Sequence, residues 1–450
     1  MTGIITESLK RVLLDNLIDE VATDSASYYI GIGNSQDWDS SDTAPTPENT
    51  LREERNLRLQ LQSIKSAEDV SYVVPRNNWT AGTIYSGWDD NVSSYPTIPY
   101  FVITDNNSVY MCLKQGRDAT GQPVASTIEP TGALTTSFVT SDGYTWKFLY
   151  TLTAGDANKY LSANYMPVKF ITSTDSSSPA SDIEQKSIQD AAVSGQIGSI
   201  RIIDGGTGYT SAPTITVAGD GDSCTATAIV YGGAVVDIKL DSDGSGVIKH
   251  GSGYTAATIS FSSGTATARA SLPPHGGFGG NPIKDLKAKA VMFNTKPSGT
   301  ENDTFITDND FRQVALIKNP KVPTTDSDFT SASGFALKSL KFTLPVGTAF
   351  SVDKTIEGAS SGAKAYVDTY NTTTGILHYH QNEATGFTTF TGGETVNETD
   401  GSGTGTLDSD STFGLGDINF NSGDILYIEN RAAISRATDQ TEDIKIIITV

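Results

Sequence analysis

The 450-residue chain has only two cysteines, no long apolar run and a shortage of basic residues. Cys112 and Cys224 lie in segments of different character, so we expect no disulfide framework, and a reducing site of synthesis fits. No stretch approaches the roughly 20 apolar residues that cross a bilayer. Polar residues also interrupt the N-terminus, where a signal peptide needs an apolar core. These absences predict synthesis in the cytoplasm and no membrane insertion.

Lysine and arginine together number 31, against 52 aspartates and glutamates, which gives a formal net charge of −21. Nucleic-acid binding requires basic residues that neutralise phosphates, and no dense cluster of them occurs. We therefore expect no nucleic-acid partner. The negative charge favours solubility, and it makes binding to a basic partner surface sensitive to salt.

Glycine (43), tyrosine (18) and phenylalanine (17) are plentiful. With many serines and threonines, they predict short strands joined by tight turns. Strands are expected at 28–33, 70–74, 100–103, 108–113 and 145–152, and a polar loop or linker at 173–182.

One helix is predicted over residues 4–22, with Thr6 as its N-cap and Glu7 in the first turn. Its apolar residues recur at helical spacing: Ile5, Leu9, Val12, Leu13, Leu17 and Val21. A single apolar stripe of this kind packs either on the protein's own core or on a neighbour.

Two pairs of repeats divide the chain. Residues 205–217 and 251–261 each join a glycine-tyrosine turn to a strand, and the tyrosine is expected to cover the edge of a small core. A second pair begins at 350–356 and 390–396. Because surface loops tolerate long insertions, the repeats predict two inserted modules.

The predicted fold is mainly β: a multilayer β-sandwich core with an N-terminal helix and two small inserted β-modules. The host core comprises 1–194, 273–344 and 413–450, and the last segment is expected to form a C-terminal hairpin. The inserted modules are a Gly-rich module over 195–272 and a second over 345–412.

Five motifs carry a resemblance to a known family. They are G-I-G at 31–33 followed by Trp38, V-P-R-N-N-W at 74–79, D-G-Y-T-W-K-F-L-Y at 142–150, D-F-R-Q-V-A-L-I-K-N-P at 310–320, and the C-terminal segments 423–431 and 437–450. In this order they resemble the gene product eight family of T-even-type myophage baseplate wedge proteins. The inserted modules are a departure from that family.

The resemblance implies a structural, non-enzymatic subunit without a cofactor. It would form a homodimer and contact other baseplate wedge proteins in the virion tail. It would act in baseplate assembly and in the contraction that host attachment triggers. The motif residues expected to serve structure or interfaces are Arg76, Trp79, Trp146, Arg312, Gln313, Arg431, Asp439 and Gln440.

The histidines and acid pairs that could support metal binding or catalysis are better explained as ordinary surface residues. His378 and His380 share one face of a predicted strand, but a metal site would need a third ligand. The only candidates for that ligand are Asp368 and Glu383. We therefore expect exposed histidines and no metal. The acid pairs Asp89-Asp90 and Glu53-Glu54 are expected on the surface of so acidic a chain.

Two glycine-containing segments resemble ligand-binding loops only in part, and three arginines have candidate structural roles. Residues 241–246 fit an Asp-Gly hairpin turn better than a calcium loop, and 205–208 lack the lysine of a phosphate loop. Arg431 and Arg436 flank a connection that carries Asp439, Glu442 and Asp443, and they could either form ion pairs that fix the hairpin or face a neighbouring protein. The internal role is favoured for Arg431, whereas the role of Arg312 stays open.

A second function remains open, a tail adhesin that binds or cleaves glycans. Small β-modules rich in tyrosine, threonine and aspartate can bind sugars. An adhesin would be trimeric and distal in the tail, and the motif-bearing residues lie in the host core rather than in the modules.

Overall fold

A computed structural model describes residues 3–23, 26–298, 304–409, 414–437 and 440–450. The helices are α1 (Glu7–Ala22), α2 (Leu51–Gln60), α3 (Ala154–Tyr160), α4 (Ala180–Asp190) and α5 (Pro282–Asp285). The first strands are β1 (Tyr28–Gly33), β2 (Leu61–Ser66), β3 (Asp69–Pro75), β4 (Phe101–Ile103), β5 (Ser108–Lys114), β6 (Phe138–Val139), β7 (Thr145–Thr151), β8 (Tyr165–Val168), β9 (Ser199–Asp204), β10 (Ile215–Gly219), β11 (Asp222–Cys224), β12 (Ala226–Tyr231), β13 (Ala234–Leu240) and β14 (His250–Ser252).

The remaining strands are β15 (Ala257–Phe261), β16 (Thr267–Ser271), β17 (Ala290–Thr295), β18 (Asp310–Lys318), β19 (Ser333–Phe335), β20 (Lys338–Lys341), β21 (Thr355–Gly358), β22 (Lys364–Asn371), β23 (Ile376–His380), β24 (Thr395–Glu398), β25 (Thr404–Thr406), β26 (Asp424–Ser435) and β27 (Ile444–Thr449). The mainly β class and the N-terminal helix are confirmed. Thr6 caps α1 as predicted, because its hydroxyl accepts the Leu9 amide at 3.4 Å. No helix in the described ranges has the length and apolar character required to span a bilayer.

The chain forms two compact units. The first comprises residues 1–14, 71–292 and 448–450, and the second comprises 15–70 and 293–447. In sequence, the predicted module 195–272 falls in the first unit and the module 345–412 in the second.

The first unit is built around the antiparallel sheet β4-β5-β7-β6. Its aromatic residues form one core cluster, in which Trp146 is fully buried against Tyr85, Tyr110, Tyr144 and Phe148. Large rings fill the space between short strands efficiently, since each buries 150–250 Å².

The glycine-rich repeats of the first unit form the sheet β10-β15-β16-β9 and the pairs β11-β14 and β12-β13. Tyr209 and Tyr254, one from each repeat, are buried in their core among alanines and small aliphatic residues. The tyrosine hydroxyl of Tyr209 accepts the amide of Ala266 at 3.0 Å. The predicted role of these tyrosines in covering a small core is confirmed.

The second unit contains the sheet β19-β2-β1-β18-β26, with β18 near its centre. The apolar run from Val314 to Ile317 in β18 is buried. Glycine is required at Gly33 in β1, because a Cβ there would overlap the carbonyl oxygen of Gln60 at the end of α2.

A six-stranded antiparallel sheet, β20-β23-β22-β21-β24-β25, also belongs to the second unit. This sheet includes strands from both repeats, which begin at residues 350 and 390. It also includes β20, which precedes the first repeat in sequence. Ile356 and Val396 occupy equivalent positions of the two repeats, and both are fully buried in one core.

Two predictions about secondary structure are wrong. The segment 173–182 is not entirely loop, because α4 begins at Ala180. The C-terminal hairpin is not formed: β26 pairs with β18, and β27 belongs to a different sheet. Two consecutive strands with a polar connection suggest a hairpin, but the 12-residue β26 is the edge strand beside β18, and β27 pairs with β17 at the edge of another sheet.

Candidate functional site

A buried arginine on β18 organises the polar residues of the second unit. The Arg312 side chain is 4% exposed, and its Nε and Nη2 bind the carboxylate oxygens of Asp42 at 2.8 and 3.0 Å. Nη2 also lies 2.6 Å from Asp37 and 3.4 Å from Asp310, while Nη1 donates to the Ser35 carbonyl oxygen. Charge-assisted bidentate bonds are strong and geometrically specific. The role left open for Arg312 is therefore internal: it fixes the segment after β1 against β18.

The carboxylates near Arg312 titrate differently. The hydrogen bond from Arg312 lowers the pKa of Asp42. Burial, together with the negative charge of nearby Asp368, raises the pKa of Asp353 to about 6. The cluster contains more carboxylates than cations, which favours the protonated form of Asp353. Asp353 therefore takes up a proton as the pH falls toward its pKa of about 6.

His380 is buried beside this cluster. Its Nδ1 lies 2.7 Å from Asp368, whose other carboxylate oxygen accepts a hydrogen bond from Ser35 at 3.0 Å. The serine thus bonds to the carboxylate and not to the imidazole, which is not the arrangement that activates a nucleophile. The expectation of an exposed histidine is wrong for His380, which is 3% exposed. His378 stacks on Phe335, with ring centroids 4.6 Å apart.

A groove of about 260 Å³ lies on the same unit. Trp38, from the loop after β1, and Gln313, from β18, contribute to it. Gln313 is 2% exposed; its Nε2 donates to Asn430 at 2.8 Å, and its Oε1 has no hydrogen-bond partner among the described residues. The predicted motif residue Gln313 thus borders a surface groove, unlike its neighbour Arg312.

The C-terminal motif residues make internal contacts. Arg436 is 1% exposed, and its Nε donates to Glu442 at 2.8 Å. Gln440 donates to the same carboxylate at 3.0 Å. Arg431 is 45% exposed and lies 3.4 Å from Glu429. Arg436 thus pairs with an acid of the C-terminal connection, whereas the half-exposed Arg431 pairs with Glu429 of its own strand and not with that connection.

One motif residue of this region, Asp439, lies outside the described residues.

In the first unit, the motif residues stabilise turns and the aromatic core. Arg76 donates to Asn78 at 2.8 Å and to the Ser162 carbonyl oxygen at 3.0 Å. The Trp79 indole donates to Ser126 at 3.2 Å. Trp146 is fully buried and stacks on Tyr144 with a centroid distance of 5.7 Å. These contacts give the three motif residues structural roles.

The acid pair Asp89-Asp90 binds two arginines of the same unit. Arg269 forms ion pairs with both aspartates, and Arg201 lies 3.2 Å from Asp89. Asp89 is only 16% exposed in its side chain, so the prediction of a surface carboxylate is wrong for it. The two arginines lie on β9 and β16, and their position beside an acid pair cannot be read from local sequence.

Sequence reasoning also missed a buried polar cluster in the first unit. The Ser137 hydroxyl and His250 Nε2 share a hydrogen bond, and His250 Nδ1 lies 2.7 Å from the Ile197 carbonyl oxygen. Burial lowers the pKa of His250. The two side chains line a cavity of only about 70 Å³ together with Lys147. This space suits one or two solvent molecules rather than a substrate.

Lys147 and Asp285 are two further buried polar groups of the first unit. Burial lowers the pKa of Lys147 to about 8 and raises the pKa of Asp285 to about 7. The Gly279 amide donates to Asp285 at 2.8 Å. These buried polar groups come from separate parts of the sequence, so no local motif signals them. They are Ser137, Lys147, His250 and Asp285.

The N-terminal half of α1 presents an apolar face that the chain leaves uncovered. Ile5 is 62% exposed, and Leu9, Val12 and Leu13 are 50%, 51% and 50% exposed. Leu14, on another face of the helix, is fully buried. The first residues of the predicted stripe therefore do not pack on the protein's own core.

Comparison with known proteins found no family model that matches this chain and no match among the curated proteins. Within the described residues, no group of three histidine, cysteine or acidic side chains is placed to hold a metal ion.

Proposed function

We propose that this protein is a structural wedge subunit of the baseplate of a contractile phage tail. The observation that carries the proposal is the uncovered apolar face of α1, formed by Ile5, Leu9, Val12 and Leu13. An apolar stripe on a surface helix is a docking element in assemblies. The ordered series of wedge-family motifs supports the same function.

The internal contacts of the motif residues are consistent with a rigid assembly part. Arg312 and Arg436 are buried and bound to carboxylates, and Trp146 is fixed in an aromatic core. Rigid elements keep an interface in its binding geometry, which limits the entropy lost on association. In this proposal the protein forms a homodimer, binds other wedge proteins and is part of the virion, where it contributes to assembly and contraction.

The proposal is tested by changing the apolar face of α1. Glutamines at Leu9 and Leu13 keep the helix, because glutamine is a good helix former, but remove the apolar contact. We expect the double variant L9Q/L13Q to lose binding to the wedge proteins encoded beside it, measured by co-purification. Glu7→Gln, at a partly exposed position on another face of α1, is the matched control and should bind normally.

Two outcomes would overturn the proposal. One is unchanged assembly by the L9Q/L13Q variant with native helix content by circular dichroism. The other is a cryo-EM map of the intact tail that places the protein at the distal tip as a trimer, which would favour the glycan-binding adhesin.

A further inference from the structure

The groove on the second unit combines an aromatic side chain with several amides and a carboxylate. Trp38 lies on one side, Gln313 and Asn382 contribute side-chain amides, and the rest of the lining comes from α2 and from Glu383 and Ala384. Its volume of about 260 Å³ is close to the lower limit of pockets that hold small organic ligands.

The polar residues from α2 share one face of that helix. Glu53, Asn56 and Gln60 are spaced by three and four residues, so their side chains project side by side. Leu57, at the edge of the same side of the helix, is 1% exposed and packs in the core. The core contact fixes the helix, so the three polar side chains reach the groove from a fixed support.

Trp38 is held in place by its own hydrogen bond. The indole Nε1–H donates to the Arg431 carbonyl oxygen at 2.8 Å. Because this hydrogen bond to the backbone fixes the indole, its ring face is available to a ligand. The side chain also loses little conformational freedom when a ligand binds.

Gln313 supplies an acceptor without a partner. The residue is 2% exposed and lines the groove, and its Nε2 is held by Asn430 at 2.8 Å. This bond leaves Oε1 unsatisfied within the described part of the chain. A buried unpaired oxygen is unfavourable. Because this atom has almost no exposed surface, a ligand hydroxyl would bond to it only after the side chains that cover it move.

The charges at the groove are balanced. Glu53 and Glu383 are carboxylates in the lining. Glu383 pairs with Arg52 and Arg55 at 2.9 and 3.0 Å. These two carboxylates and two guanidinium groups carry no net charge together, so the groove has no excess charge that would favour an ionic ligand over an uncharged one.

We propose that this groove binds an uncharged saccharide. A sugar ring has a C–H face that packs on an aromatic ring, and hydroxyls that both donate to carboxylates and pair with amides. The groove presents that combination: the face of Trp38, the amides of Asn56, Gln60 and Gln313, and the carboxylate of Glu53. This binding site is independent of the wedge function, and it lies outside the glycine-rich module of the first unit.

The test uses the full-length protein labelled with ¹⁵N. The four tryptophans give separate indole N–H signals, and Trp38→Phe assigns that of Trp38. Maltotriose and triacetylchitotriose are titrated in turn to tens of millimolar, with inorganic phosphate as a third arm. We expect at least one saccharide to shift the Trp38 signal saturably, while the signals of buried Trp88 and Trp146 stay unchanged.

Variants separate binding from folding. Asn56→Ala with Gln60→Ala preserves α2, because alanine favours helix, and should weaken saccharide binding about tenfold or more. Asn421→Ala, at an exposed asparagine outside the groove lining, should bind like the unmodified protein. Three results would overturn the proposal: no saturable shift with either saccharide, unchanged affinity in the double variant, or a saturable shift with phosphate alone.

Discussion

The guanidinium of Arg312 binds both carboxylate oxygens of Asp42, at 2.8 and 3.0 Å. This pair joins the centre of a sheet to a loop 270 residues earlier in the chain. Asp37 and the Ser35 carbonyl oxygen lie in the same loop and contact the same guanidinium. One buried side chain thus determines the position of the loop that also carries Trp38.

Arg312→Lys keeps the positive charge but loses the planar fork that binds two oxygens at once. We expect the substitution to lower the free energy of unfolding by about 1–3 kcal/mol, because buried donors and acceptors lose their partners. Hydrogen exchange should accelerate in residues 35–42 more than elsewhere.

Arg52→Lys is the matched control for this prediction. Arg52 is 70% exposed in its side chain and pairs with Glu383, and exposed pairs contribute little to stability. Equal effects of the two substitutions would contradict the internal role assigned to Arg312.

The Arg312 site also illustrates how much sequence alone can predict. The motif at 310–320 resembles a strand motif of the wedge family, and β18 forms there with its apolar residues buried. The sequence does not show that Asp37 and Asp42 meet Arg312, since that contact depends on the fold. The same holds for Ser137 and His250, which are 113 residues apart.

Errors in the secondary-structure prediction have local physical causes. Helix α2 was missed because half of its sequence, L-R-E-E-R-N-L-R-L-Q, is charged and only Leu57 is buried. Its start was nevertheless marked by Thr50, whose hydroxyl accepts the Glu53 amide at 3.2 Å. A search for capping residues would have found this helix, whereas a search for apolar periodicity could not.

A second prediction concerns the buried ion pair of the C-terminal segment. Glu442→Gln leaves Arg436, which is 1% exposed, without its counter-charge. Breaking a buried pair in this way costs about 3–5 kcal/mol, so urea unfolding should show a clear loss of stability. Glu383→Gln, at a carboxylate that is 48% exposed, should change stability by less than about 0.5 kcal/mol. A similar small change in both variants would contradict the prediction.

A third prediction concerns Asp285, whose pKa is raised by burial from 3.8 to about 7. Between these values the folded protein holds a proton that the unfolded chain releases, so the free energy of unfolding falls as the pH rises from about 4 to about 7. The contribution is on the order of 4 kcal/mol, since each unit of pKa difference corresponds to about 1.4 kcal/mol.

Asp285→Asn should remove this part of the pH dependence, because asparagine does not titrate. Urea unfolding at a series of pH values between 4 and 8 measures the slope for both proteins. Asp118→Asn, at an exposed aspartate of the same unit, should leave the fall in stability unchanged. An identical slope in the Asp285→Asn variant would show that other groups cause it.

The last prediction concerns self-association. In the proposed homodimer, each copy has a formal charge of −21, so long-range repulsion opposes association at low salt. Because the apolar face of α1 is assigned to the wedge partners, the dimer contact must use other exposed apolar side chains, and a stable interface requires on the order of 1,000 Å² or more in total. Because salt screens repulsion between surface charges, raising the salt concentration should leave the dimer intact or strengthen it, whereas binding to a basic wedge partner should weaken.

Light scattering across a salt series measures the effect on the dimer, and titration calorimetry with the partner measures the effect on partner binding. A monomer at micromolar concentration at every salt concentration would remove the dimer, and a dimer that dissociates as salt rises would show that charge pairs, rather than apolar residues, hold the two copies together.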